Sequence, residues 1–172
     1  MCIRDRVVKT IVGSTEFWAA VFLPAKPRTP VEFVFGALRA GDAEVATGRG
    51  IAAELQAMGQ PLYACVPPTG YSNRGDDWTN PSTHLAKMNF GIALAAGDVA
   101  GVTVDARAAI RKAGATADDA PGAAAALSAD LFGRELSAET ASALVRVSPA
   151  GSPSVAVRVL GLALASPEMQ AR

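Results

Sequence analysis

Histidine is almost missing from this chain: His84 is the only one in 172 residues. The usual zinc sites draw several His and Cys ligands from short fixed spacings, and neither H-x-x-x-H nor H-E-x-x-H occurs. The sequence therefore nominates no metal ligand set, and it names no cofactor. Net charge is missing too, because 16 Lys and Arg balance 16 Asp and Glu. No whole-chain field draws the protein to nucleic acid or to an acidic membrane. Long apolar runs are lacking. The most apolar stretch, Val155 to Ala165, falls short of the roughly 18 to 20 residues that span a bilayer, and it carries Arg158. No transmembrane segment is expected. Aromatics make up only 6% of the chain, although half of it is hydrophobic. Alanine fills the difference. It loses little side-chain entropy in a helix, so the bias favours short helices packed closely through small residues.

Cysteine is limited to Cys2 and Cys65. The first of these sits in Met1-Cys2-Ile3-Arg4-Asp5-Arg6, which lacks the apolar core of a signal peptide. That hexapeptide reads as the translation of a transposon-end adaptor that begins ATG-TGT-ATA-AGA-GAC, the codons of Met1 to Asp5. Residues 1–6 are therefore expected to be non-native. Residues 7–172 are expected to be the C-terminal helical part of a larger domain whose N-terminal part is missing. Cys65 then stands alone, and one thiol makes no internal disulfide and marks no redox compartment.

Turn and cap signals divide the rest into helices. Val7 to Val12 reads as a helix tail stopped at Gly13. Ser14 is placed to cap a short helix through Glu16, Phe17, Trp18 and Phe22, whose apolar face is expected to lack a partner. Thr29-Pro30-Val31-Glu32 combines a cap, a first-position proline and a capping-box glutamate. Val31, Val34, Phe35 and Leu38 then mark one face. Ile51, Leu55 and Met58 mark another, closed by Gly59. Asn80-Pro81 opens a helix with Leu85, Met88, Ile92 and Ala95 or Ala96 as its expected buried stripe, ended by Gly97. Asp105, Asp118 or Asp119, and Ser137 open three more, reaching Ala113, about Phe132 and Val145. A turn-rich break from Ser148 to Pro153 precedes Val155 to Ala165. There alternating Val155, Val157 and Val159 would suit a strand, but the run length and the Leu160–Leu164 spacing favour a buried helix. The fold class is all-α: a bundle of short helices with one long ordered loop at about residues 60–80.

That loop holds the unusual chemistry. Asp76, Asp77 and His84 are the candidate catalytic residues, since carboxylates and an imidazole bind metals or exchange protons. Asp77 and His84 are seven positions apart with a helix start between them, so the plainer reading makes Gly75-Asp76-Asp77 a turn. Tyr71, Arg74 and Trp78 are the candidate ligand-binding residues, an aromatic and cationic rim for a sugar or a peptide. The favoured alternative makes the rings anchors. A long loop loses roughly 1 to 2 kcal/mol per residue in ordering entropy, and one buried ring returns about 2 to 3 kcal/mol. Several anchors are needed, and Leu62, Tyr63, Val66, Tyr71 and Trp78 are spaced to serve. Asn80 reads as a helix cap. Asn89, between Met88 and Phe90, reads as a tie from its helix to the loop. Cys65 with His84 as base would make a nucleophile, but its apolar neighbours favour a small hydrophobe. No G-x-S-x-G is present, and Gly48-Arg49-Gly50 is too short for a phosphate loop.

Six pieces in order resemble one family. They are P-V-E-F-V-F-G-A-L-R-A (Pro30 to Ala40), M-G-Q-P-L-Y (Met58 to Tyr63), P-P-T-G-Y (Pro67 to Tyr71), W-T-N (Trp78 to Asn80), L-A-K-M-N-F (Leu85 to Phe90) and L-A-S-P-E-M-Q (Leu164 to Gln170). The chain is similar to the C-terminal part of the bacterial domain-of-unknown-function family 1800. The resemblance implies a largely helical, longer protein that is often exported, hence periplasmic or secreted. It supplies no catalytic residues. The resulting expectation is a non-catalytic helical module of a larger exported protein. Its partners are the missing N-terminal part and a protein or glycan ligand. The rival expectation is a hydrolase of an extracellular polymer or ester, with Asp76, Asp77 and His84 in its site.

Overall fold

Three helices begin with the same device, a short polar cap followed by proline. Thr29, Asn80 and Ser166 each turn a side-chain oxygen back onto the first turn, where it accepts from the amide of Glu32, Thr83 or Met169. Proline in first place loses nothing there, because its missing N–H would have had no partner in the helix. At Thr29 the box is reciprocal, since Glu32 Oε2 accepts from the Thr29 amide at 2.9 Å. The computed structural model describes residues 3–19, 26–132, 135–147 and 155–171.

Among these residues the order is α1 (Ile3–Val12), α2 (Pro30–Ala40), β1 (Glu44–Val45), α3 (Arg49–Ala57), α4 (Pro81–Ala96), β2 (Val102–Thr103), α5 (Ala106–Lys112), α6 (Ala120–Phe132), α7 (Ala138–Val147), α8 (Val155–Ala165) and α9 (Pro167–Gln170). The fold is a mostly helical bundle. Its only sheet among the described residues is the two-residue antiparallel pair β1–β2, with Glu44 opposite Thr103. α8 lies at the centre, with eight of its residues buried and α4, α5, α6 and α7 around it.

The interface of α4 with α8 is the most extensive in the bundle. Glycine sets its spacing. A Cβ on Gly91 would lie 3.0 Å from the Leu164 carbonyl carbon, and one on Gly161 would lie 3.4 Å from Ile92 Cα. Close approach of this kind gains dispersion contacts that bulky side chains would prevent. It also reverses the stripe expected on α4. Leu85, Met88 and Ile92 are 58%, 41% and 46% exposed, whereas Thr83, Lys87, Phe90, Gly91, Leu94 and Ala95 face inward. α2 keeps most of its expected face, with Val34 and Leu38 buried, Val31 packed against the core and only Phe35 turned out. Phe33 and Ala37 are buried as well.

α1 buries no residue. Ser14 does not start a helix. Its hydroxyl accepts from the Phe17 amide at 3.3 Å within a turn. Phe17 and Trp18 meet edge to face in solvent, with centroids 5.1 Å apart. Phe22 and the break at residues 148–153 lie outside the described residues. Gly91→Val is expected to lower stability by about 2 kcal/mol or more, the cost of overpacking. Gly48→Ala, with nothing within 4 Å of its Cβ, is expected to stay within about 0.5 kcal/mol. Denaturant titration of both variants measures the difference.

Candidate functional site

From Leu55 to Asn73 the chain carries no charged side chain. That part of the connector between α3 and α4 therefore cannot fold through ion pairs of its own, and hydrogen bonds and ring packing replace them. Tyr71 Oη donates to the Pro61 carbonyl at 2.6 Å, closing the first half of the connector on itself. Trp78 Nε1 donates to the Ser72 carbonyl at 2.9 Å. The two rings meet edge to face with centroids 6.1 Å apart. A 3-10 turn, Gly75–Trp78, delivers the indole, which is 7% exposed. Burial raises the Tyr71 phenol above its ordinary pKa, and neighbouring Cys65 adds to the effect.

The expected rim is therefore split. Trp78 lies beneath the surface and has no face free for stacking. Tyr71 is half-buried, and Arg74 is exposed beside Asp76 at 4.0 Å, with side chains 79% and 88% accessible. A pair so wetted contributes little. Asp77 and His84 are exposed as well. Among the described residues no three His, Cys, Asp or Glu side chains gather, so Asp76, Asp77 and His84 do not form a cluster. Cys65 is half-buried in a cavity of about 340 Å³ lined by Gly59, Pro61, Val66, Pro67 and Tyr71. No hydrogen bond joins it to His84 among the described residues.

Four expected contacts are corrected. Tyr63 is fully exposed, because its backbone is left-handed (φ 59°) and turns the ring into water. Val66 is also in solvent. Leu62 is partly exposed in an apolar groove of about 590 Å³ with Phe35 and Val45. Asn89 lies on the solvent side of α4 and makes no hydrogen bond to the connector among the described residues. Asn80 caps α4, with Oδ1 accepting from the Thr83 amide at 2.9 Å and from Ser82 Oγ at 2.6 Å.

Sequence reasoning missed the most unusual side chain. Lys87 exposes none of its surface. Its Nζ donates to the Arg28 carbonyl at 2.6 Å and lies 5.9 Å from the centre of the Phe33 ring. Burial pulls its pKa down to about 8, and Glu32 nearby opposes that shift. The spacing Thr83, Lys87, Phe90, Leu94 is the signal that would have found it, an inward stripe with one cation in it. Arg28 belongs to a strap, residues 26–31, that crosses between α4, α9 and the connector. Its other bonds run from the Arg28 amide to the Gln170 carbonyl at 2.8 Å and from the Val31 amide to Gln60 Oε1 at 3.0 Å. Pro27 pairs with Ala171 in an isolated antiparallel bridge. The far side of α9 is tied to α7 through Glu168, whose Oε1 accepts from the Ser137 amide and the Thr140 hydroxyl, each at 3.1 Å. Burial pushes that carboxyl up, but these hydrogen bonds outweigh it and hold its pKa below the usual value.

A larger groove, about 860 Å³, lies apart from the connector between α6 and α7, with Ala124, Ser128, Leu136 and Val145 on its walls. Ser142, Glu135 and Arg146 line it too. The Ser128 and Ser142 hydroxyls, however, each donate to a backbone carbonyl, of Ala125 and Glu139, at 2.9 Å, and no hydrogen bond among the described residues joins either to Glu135 or Arg146.

Helices locked by glycine contacts, with a connector folded on its own rings, define an all-α domain carrying a structured inter-helix segment. The family model described as "Protein of unknown function (DUF1800)" matches residues 5–171, and the chain belongs to that family. No curated protein and no solved structure matches it. Trp78→Ala is expected to cost about 3 to 5 kcal/mol of stability, the range for a lost buried aromatic. Asp77→Asn is expected to change stability by less than about 0.5 kcal/mol. Thermal and urea unfolding of the two variants provides the comparison.

Proposed function

We propose that this protein is a non-catalytic helical interaction module, working as part of a larger exported bacterial protein, and that its connector is a pre-folded face for a polypeptide partner. One observation carries the reading. The connector holds its shape through internal hydrogen bonds while leaving Tyr63, Val66 and Arg74 in solvent. A rigid aromatic side chain offers contact area at little entropic cost, and Tyr and Arg are enriched among residues that dominate binding. The absence of charge from Leu55 to Asn73 suits a neutral partner surface, with Arg74 supplying polar recognition at its edge. Tyr71 and Trp78 act as the anchors that keep this face folded. The exported setting rests on the family resemblance.

The test places a photo-crosslinking phenylalanine analogue at position 63 of the intact gene product in its bacterial host, with position 49 on α3 as control. The expected result is one discrete protein adduct from position 63, weakened at least tenfold by Arg74→Ala. Adducts of equal pattern from both positions would contradict the reading. So would glycan-array binding lost on Arg74→Ala without any protein adduct, or turnover of a chromogenic ester abolished by Asp77→Asn.

A further inference from the structure

The strap is gripped on two sides by segments far apart in the chain. On one side, α9 holds it through the Arg28 amide on the Gln170 carbonyl, the Pro27–Ala171 bridge, and Arg28 Nη1 at 3.3 Å from Met169 Sδ. On the other, the connector's 3-10 turn abuts it at Gly75. A Cβ there would lie 2.5 Å from Pro27 Cδ and 3.0 Å from its Cγ. Pro27 thus serves both segments at once, while Lys87 holds the Arg28 carbonyl from α4.

Two polar penalties fall on this junction. The Gln170 side-chain amide is buried with neither Nε2 nor Oε1 hydrogen-bonded among the described residues, and an unpaired buried amide is destabilising. The Lys87 ammonium has three donors and a single acceptor among the described residues. Both penalties ease when water reaches the junction. Backbone pairing that favours closure, set against polar burial that favours opening, describes an element able to release below global unfolding.

We propose that the strap is a conformational latch in which seating of α9 and docking of the connector rise and fall together. With α9 in place, the bridge to Ala171 fixes the Pro27 ring, and that ring is the wall behind Gly75. When α9 leaves, the strap loses its hydrogen-bonded edge, the wall moves, and the Gly75–Trp78 turn loses its backing. By linkage, whatever holds the connector also holds α9. The coupling stands whatever the connector's face binds, so its failure and that of the binding reading are separable.

Two protons report the two halves. The Arg28 amide is protected by α9, and the Trp78 indole N–H is protected by the connector. Hydrogen exchange of both is followed by NMR in the full chain, with a central α8 amide as reference. Gly75→Ala is expected to accelerate both at least tenfold and leave the reference unchanged. Adding Pro27→Ala removes the ring atoms that a Cβ would strike and is expected to restore both rates. Gln170→Met, which removes the unpaired amide, is expected to slow both several-fold. Acceleration of the indole alone in Gly75→Ala would overturn the latch. So would slowing of Arg28 alone in Gln170→Met, which remains decisive even if Gly75→Ala fails to fold.

Discussion

One ammonium against one peptide carbonyl organises this molecule. Lys87 lies wholly inside, 2.6 Å from the Arg28 oxygen. Burying a cation is costly unless it is paired and hydrogen-bonded. The acceptor is a carbonyl in the strap just ahead of the Thr29 cap, and no helix ladder uses it. The Phe33 ring and the field of Glu32 add attraction. Because the charge tolerates few other positions, the contact fixes where the strap runs. The strap in turn fixes Pro27, and Pro27 fixes Gly75 and the turn that delivers Trp78.

The same contact bears on the choice of face in α4. Two stripes compete on that helix. Leu85, Met88 and Ile92 offer more apolar area, but they are large. Thr83, Lys87, Phe90, Gly91 and Leu94 offer less, but they admit α8 at glycine distance and bring Lys87 to its acceptor. Total burial across the close interface outweighs the area lost on the far side. The loss remains visible as an apolar stripe in solvent.

Much of the fold was legible in the sequence because caps are local. Thr29-Pro30, Asn80-Pro81, Asp105 and Ser137 begin helices where expected, and Gly97 ends one with φ 78°. Local chemistry sufficed for these, since each cap satisfies amides within its own first turn. The buried helix over Val155–Ala165 was legible from its length. The buried face of α4 was not, Ala95 apart, and on α2 Phe35 was misplaced. Periodicity counts apolar residues, whereas the spacing between helices rewards small ones. The connector was legible only as an ordered object. Nothing local tells Tyr71 and Trp78, which find carbonyls at Pro61 and Ser72, from Tyr63, which finds none. Lys87 stayed hidden because its partner lies far off in sequence.

The stability of the native chain against pH tests the central contact most directly. The Lys87 pKa falls from 10.5 in the reference state to about 8 in the fold. Below about 8 both states carry the proton, and the buried charge weighs on the native state alone. Between those values the unfolded chain still binds a proton that the native one has released, so stability rises with pH. Urea unfolding of the native chain and of Lys87→Met at pH 7 and pH 9.5 should differ in response. The native chain is expected to gain about 2 kcal/mol over the variant across that interval. Parallel responses in the two proteins would contradict a buried, charged Lys87 and the account built on it.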